Sequence, residues 1–317
     1  MSTHEPRRQF LATSSALTLG SLTGLASSLA LPEPAHAATP TAGTLNWHNW
    51  SGVQTAQPAA LPTPASEAEL QTLLARSTGE IRAVGSGHSF TALVPTNGAI
   101  VSLDKMSGVV AVDKQAMTVT VKGGTRLGVL ARALDAQGLG LRNQPDVDVQ
   151  TIAGAISTAT HGTGLSLPAL HDDIVGLRIV KPNGEVVQID ANNNPQWLPA
   201  ARVSLGSLGV ISQVTMRVLP AYNLQRKVWL SPIEELLQQA PKLAQQHRHF
   251  EMYYLPFTGY GAAIAHDVYE GSDLYFPKAA DDDVLADLRK LRDWLGRFPQ
   301  LRQWAASKLI DPAMTEE

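Results

Sequence analysis

Two short stretches of this chain gather residue types that could do chemistry. The first is Val84-Gly85-Ser86-Gly87-His88-Ser89-Phe90, which ends the apolar run begun at Ile81. Glycines one residue apart let a backbone turn at positive φ and bring bare N–H groups close to an anion. A dinucleotide-binding turn would need a third glycine and a helix opening directly after it. Phe90 stands at that third position, and Pro95 and Gly98 just downstream preclude a helix of useful length. The pattern therefore predicts a phosphate-cradling loop between strands, with a histidine in its middle. His88 reads from its surroundings as a hydrogen-bonded loop imidazole or a ligand. A metal is disfavoured, because no short ligand spacing joins His88 to His161 and the chain has no cysteine.

The second stretch runs from Gln150 to Gly164 and includes Gly154, Ala155, Ser157, Thr160, His161, Gly162 and Thr163. From Ala153 onward only Ile156 and His161 are bulky. Such a segment either packs against a neighbouring backbone, as a close-packed helix with a satisfied histidine, or lets a flat ligand lie along it. Its hydroxyls and N–H groups favour the ligand. Other polar groups carry less. His171-Asp172-Asp173 reads as a cation site or a solvated loop tip, and Glu251 as a cavity wall or a strand-edge carboxylate. Ser207 lies in Gly-Ser-Leu-Gly, which lacks the flanking pattern of a nucleophile elbow, so a hydrolase finds no support.

These stretches need elements to hold them. A helix is expected over 66–76, with Ser66 and Glu69 as a capping box, Leu70, Leu73 and Leu74 as its buried stripe, and Gly79 closing its end. Strands are expected over 81–84, 99–103, 109–112 and 117–121, where β-branched residues lie between turn signals. A helix capped by Thr125 should bury Leu127, Leu130 and Leu134 and stop at Gly138. Further strands are expected over 174–180, 186–189 and 210–219, the first two joined by a Pro182-Asn183-Gly184 turn. Leu45 to Gly52 reads as an entry strand and turn, its Trp47 and Trp50 serving either a motif or a packed domain edge. From about residue 221 the pattern changes to a helix over 232–247, a strand over 249–255 and an amphipathic helix over 281–310. Helices mixed with strands at this spacing argue for an α+β fold over a doubly wound parallel sheet.

With 317 residues and 44% apolar content the chain is large enough for two domains. A net charge of −3 supplies no basic footprint for nucleic acid. At the N-terminus, Arg7-Arg8-Gln9-Phe10-Leu11 precedes a Ser/Thr/Ala/Leu-rich stretch that ends at Ala35-His36-Ala37. This predicts a twin-arginine signal peptide over 1–37, cleaved after Ala37, and an exported, periplasmic or extracellular protein. A membrane anchor is the alternative, weakened by Gly20, Gly24 and many hydroxyls.

The VGSGHSF loop, the later Thr-His-Gly loop and the Asn-Trp-Ser-Gly opening occur in one order. Together they resemble the vanillyl-alcohol-oxidase-type, or PCMH-type, FAD flavoproteins, most closely the branch of aldonolactone and alditol oxidases. The resemblance covers about 45–220 and implies an FAD-binding domain of two α/β subdomains, followed over 221–317 by an incomplete α+β substrate (cap) domain. It further implies that Val84 to Phe90 wrap the FAD pyrophosphate and that His88 is joined covalently to the flavin. By the same resemblance the loop from Gly154 to Thr163 runs beside the flavin ring, and the Ile211 backbone meets the adenine end. The implied activity is hydride transfer from a sugar-type carbinol to the flavin, with oxygen as acceptor and Gly154 leaving oxygen a path. Catalytic acid–base residues are expected beyond residue 317, in a longer protein. An exported, non-catalytic flavin-binding remnant is the other reading.

Overall fold

The computed structural model describes residues 45–255 and 258–275, with 297, 298, 300, 301, 304, 313, 315 and 316. The signal peptide expected over 1–37 lies outside the described residues, and the helix expected over 281–310 almost wholly so. The chain divides into two compact units, one spanning Pro40–Asn223 and the other built on residues from Leu224 onward.

The first unit is centred on a five-stranded antiparallel sheet. Its strands are β5 (Val109–Asp113), β6 (Thr118–Lys122), β8 (Ile174–Val180), β9 (Val186–Asp190) and β10 (Val210–Arg217), in the order β5-β6-β10-β8-β9. In the centre Val214 pairs with Val121 on one side and Leu177 on the other. Strand β8, flanked by β10 and β9, is buried at five of its seven positions, which explains why Ile174-Val175-Gly176-Leu177-Arg178-Ile179-Val180 lacks a clean polar alternation. One core cluster joins this sheet to α2 (Leu127–Asp135) and α3 (Ile152–Ser157) through Leu127, Leu130, Ile152, Ile156, Leu177 and Val214. A second cluster joins α1 (Glu67–Arg76) to the sheet through Leu70, Leu74, Val180 and Val210.

Beside the sheet, β3 (Ile81–Val84) and β4 (Ala99–Ser102) form a parallel pair, with Ile81 opposite Ala99. Parallel neighbours need a connection of a dozen or more residues, normally a helix. Here residues 85–98 make it in irregular backbone, and that connection carries the first stretch singled out above. β1 (Trp47–His48) and β2 (Thr55–Ala56) form a small hairpin. β7 (Leu139–Gly140) pairs with β11 (Leu219–Pro220), so the strand expected over 210–219 is broken at Val218, whose N–H turns to Met117 O at 2.9 Å.

Three local expectations are corrected. Gly79 does not close α1: the helix stops at Arg76 with an extended Ser77, and its start keeps the expected Ser66 cap, with Glu69 N donating to Ser66 Oγ at 3.2 Å. Glu69 reaches one residue further back than a capping box requires, accepting from Ala65 N at 2.9 Å. Thr125 does not cap α2. Its hydroxyl donates to Lys122 O at 2.6 Å and accepts from Gly108 N, which holds the β6–α2 turn, and Arg126 occupies the cap position. The stretch from 150 is not one loop. Thr151 Oγ1 accepts from Gly154 N at 3.2 Å and starts α3, whose apolar Ile152, Ala155 and Ile156 face the core.

In the second unit β12 (Asn223–Pro232), β13 (His249–Leu255), β14 (Tyr260–Tyr269) and β15 (Thr315–Glu316) form a sheet in the order β13-β14-β12-β15. Helix α4 (Ile233–Gln246) buries Leu236, against which Gly261 of β14 packs. After α4, His247 Nδ1 lies 2.6 Å from Asp267 Oδ2, and Arg248 N donates to the other oxygen at 2.8 Å. That carboxylate thus ties the α4–β13 corner to β14.

Candidate functional site

An open cleft lies within the first unit. Both stretches singled out from sequence reach it. Val84, Gly85, Ser86, Gly87, His88 and Ser89 form one wall, and Thr151, Gly154, Ser157 and Thr158 another. Ile211 closes a third side with Val210.

The glycines explain how the walls approach each other. Gly87 has φ +67° and makes the turn. Gly85 has no such φ; it is required by proximity, since a Cβ there would collide with Thr151 Oγ1. A Cβ on Gly154 would stand 2.9 Å from the same oxygen and 3.7 Å from Gly85 Cα, so the loop and the first turn of α3 are in near contact.

The β1–β2 hairpin holds the outer side of the loop. Asn49, only 1% exposed, donates from Nδ2 to Ser89 O at 2.9 Å and accepts on Oδ1 from Gln54 N at 3.0 Å. Trp50 N donates to Gly87 O at 2.8 Å, and Gln54 Nε2 to Phe90 O at 3.0 Å. The Trp50 indole stacks on the His88 imidazole with centroids 4.9 Å apart and planes at 17°. Phe90, exposed and absent from the cleft wall, meets the indole edge-on at 6.5 Å. Burial, and then the charge of Arg126, push the His88 imidazole below its ordinary pKa. The shift favours the neutral imidazole, which keeps a lone pair on its unprotonated nitrogen.

The rest of the second stretch is placed differently. Ala155 points into the core. Thr160 Oγ1 donates to Gln150 Oε1 at 2.9 Å, and the exposed His161 has Nδ1 2.9 Å from its neighbour's Gly162 O. Gly162 is a packing glycine, since a Cβ would press on Asn143 and stand 2.6 Å from Gln144 O. Thr160 to Thr163 thus lie outside the cleft wall. Glu251, on β13, accepts from Tyr253 Oη at 3.0 Å. Sequence reasoning missed Gly123 as a wall residue, and the Leu205-Gly206 turn that leads into Ile211 lies in the wall as well. Gly123 was legible only as a helix flank; its side chain is forbidden by the Ile211 carbonyl. Leu205 takes φ +52°, a conformation sequence alone did not signal.

Comparison with known proteins gives this geometry a family. Residues 58–190 match the family model described as FAD binding domain. L-gulono-1,4-lactone dehydrogenase of Mycobacterium tuberculosis (strain ATCC 25618 / H37Rv) is 42% identical over 215 residues, 67% of this chain and 50% of the relative. D-arabinono-1,4-lactone oxidase of Eremothecium gossypii is 34% identical over 217 residues, covering 66% and 41%. L-gulonolactone oxidase of Mus musculus is 31% identical over 217 residues, covering 68% and 49%. Among solved structures an alkyldihydroxyacetonephosphate synthase superposes with a TM-score of 0.58 at 18% identity, over 66% of this chain and 47% of that one, which speaks to the fold. The chain is thus a flavoprotein with the PCMH-type FAD-binding fold. More narrowly, it belongs to the branch of aldonolactone oxidases and dehydrogenases. It spans about half the length of the curated relatives it matches.

Proposed function

We propose that the cleft between the 84–89 loop and α3 holds FAD and that the chain is the flavin-binding part of an aldonolactone or alditol oxidoreductase. The observation carrying this is the meeting of the two motifs: Gly85 closely approaches Thr151 and Gly154, although more than sixty residues separate it from both in sequence. The loop fits an anionic cofactor, because Ser86 to Ser89 line the cleft and, among the described residues, their N–H groups have no protein acceptor. In this reading those N–H groups take the pyrophosphate, and Ser157 and Thr158 border the ring. His88 is the attachment point, held neutral so that a nitrogen lone pair is available. When bound, FAD supplies the redox chemistry, accepting a hydride from the carbinol carbon and passing its electrons to oxygen. The names of the relatives support a small lactone as the substrate class.

By the same reading, residues 45–220 are the FAD-binding domain and 221–317 belong to a substrate domain. Residues 1–37 are a twin-arginine signal peptide, and the protein works outside the cytoplasm. Anaerobic addition of an aldonolactone to the purified flavoprotein tests the substrate class: bleaching of the flavin absorbance near its visible maximum supports it. An oxidised spectrum unchanged by both lactones and alditols would contradict it.

A further inference from the structure

The β1–β2 hairpin does more for the loop than pack against it. We propose that Asn49, with Trp50 N–H and the Gln54 side chain, is a positioning clamp that turns the carbonyls of the 87–90 loop outward and so leaves its N–H groups for an anion. This rests on the reading of the loop as the pyrophosphate cradle.

Three donors of the hairpin reach three loop carbonyls: Gly87 O at 2.8 Å, Ser89 O at 2.9 Å and Phe90 O at 3.0 Å. A peptide group whose carbonyl is held on one side presents its N–H to the opposite side. The carbonyl of Gly87 belongs to the same peptide unit as the His88 N–H of the cradle, so holding it orients that donor. The Ser89 and Phe90 carbonyls are held where the chain leaves the cradle, which fixes its far end. Asn49 is suited to this because its amide both donates and accepts. While Nδ2 holds Ser89 O, Oδ1 takes Gln54 N and the Ser51 hydroxyl at 3.3 Å, which keeps the hairpin turn closed around it. Its burial makes these bonds count, since an unsatisfied amide in that place would be costly. The Trp50 indole, lying flat on His88, restrains that imidazole as well. An aspartate at position 49 could accept from the turn but would offer no donor to Ser89 O.

The test uses the full chain in a His88→Ala background, in which no covalent bond through that histidine can mask affinity. The probes are FAD and ADP, with thermal melting of the cofactor-free protein as the structural control. Asn49→Ala should weaken both FAD and ADP by about tenfold, equivalent to about 1.4 kcal/mol. Gln54→Ala removes only the bond to Phe90 O, leaves the hairpin backbone intact, and should weaken both by about threefold. A hairpin that merely stabilised the domain edge would lower the melting temperature and leave the affinity of the folded protein unchanged. Unchanged FAD and ADP affinity in folded Asn49→Ala and Gln54→Ala proteins would overturn the clamp while leaving the cradle reading intact. Failure of the background protein itself to bind either probe would overturn both.

Discussion

At the scale of the residue, the cleft depends on side chains that are missing as much as on those present. Gly85 and Gly154 face one another across Thr151, and each is glycine because of that oxygen. In the proposed function Gly154 also leaves oxygen a path to the flavin. Gly154→Ala should slow reoxidation of the photoreduced flavin in air by about tenfold, or about 1.4 kcal/mol of barrier, with the flavin still bound. Because the added methyl would also displace the Thr151 hydroxyl, Thr151→Ala is the control. It loses the α3 cap, at a cost of about 1 kcal/mol in stability, but adds no bulk. Reoxidation rates that match in wild type and Gly154→Ala would remove the gate. A rate that fell equally in Thr151→Ala would assign the effect to the cap.

At the scale of the element, the cleft is held by how α1 is fixed to the sheet. Glu67, at the start of α1, takes a two-pronged bond from Arg178 of β8, at 2.6 and 3.1 Å, and a third from Ser212 of β10 at 2.6 Å. Ser212 is fully buried and follows Ile211 of the cleft wall. The Arg178 bonds hold the Glu67 carboxyl below its ordinary pKa against the opposing effect of burial, with Ser212 adding to the lowering. A depressed folded pKa means that this stabilisation is complete above the ordinary glutamate value. It is lost as pH falls from there through the folded value. Glu67→Gln should therefore cost about 2 kcal/mol in urea unfolding at neutral pH and flatten the acid limb of the stability profile. An unchanged acid limb in the variant would show that Glu67 does not anchor α1. Much of this architecture was legible: Leu70 and Leu74 at helical spacing, the β-branched runs, and the Ser66 cap. What was not legible depends on distant partners. Thr125 looks like a helix cap because Ser/Thr before an apolar run usually is one, yet Lys122 O and Gly108 N claim its hydroxyl. Nothing local in the sequence signals that Asn143 and Gln144 occupy the space beside Gly162. The clamp partners Asn49 and Gln54 meet the loop from some forty residues away, beyond any periodicity argument.

At the scale of the whole molecule, the signal peptide proposed over 1–37 would have to export a domain already folded around its cofactor. Twin-arginine export carries folded proteins, so FAD would be collected before the membrane is crossed. Replacing Arg7 and Arg8 together by Lys should leave a folded, yellow protein in the cytoplasm, seen by fractionation. Normal export of the double variant would contradict the twin-arginine reading. The central claim is that the cleft holds FAD through His88, and acid precipitation of the purified chain tests it most directly. The account predicts flavin absorbance in the washed pellet of the wild type, and its complete transfer to the supernatant in His88→Ala. Colour in the wild-type supernatant, or colour retained in the His88→Ala pellet, would contradict it.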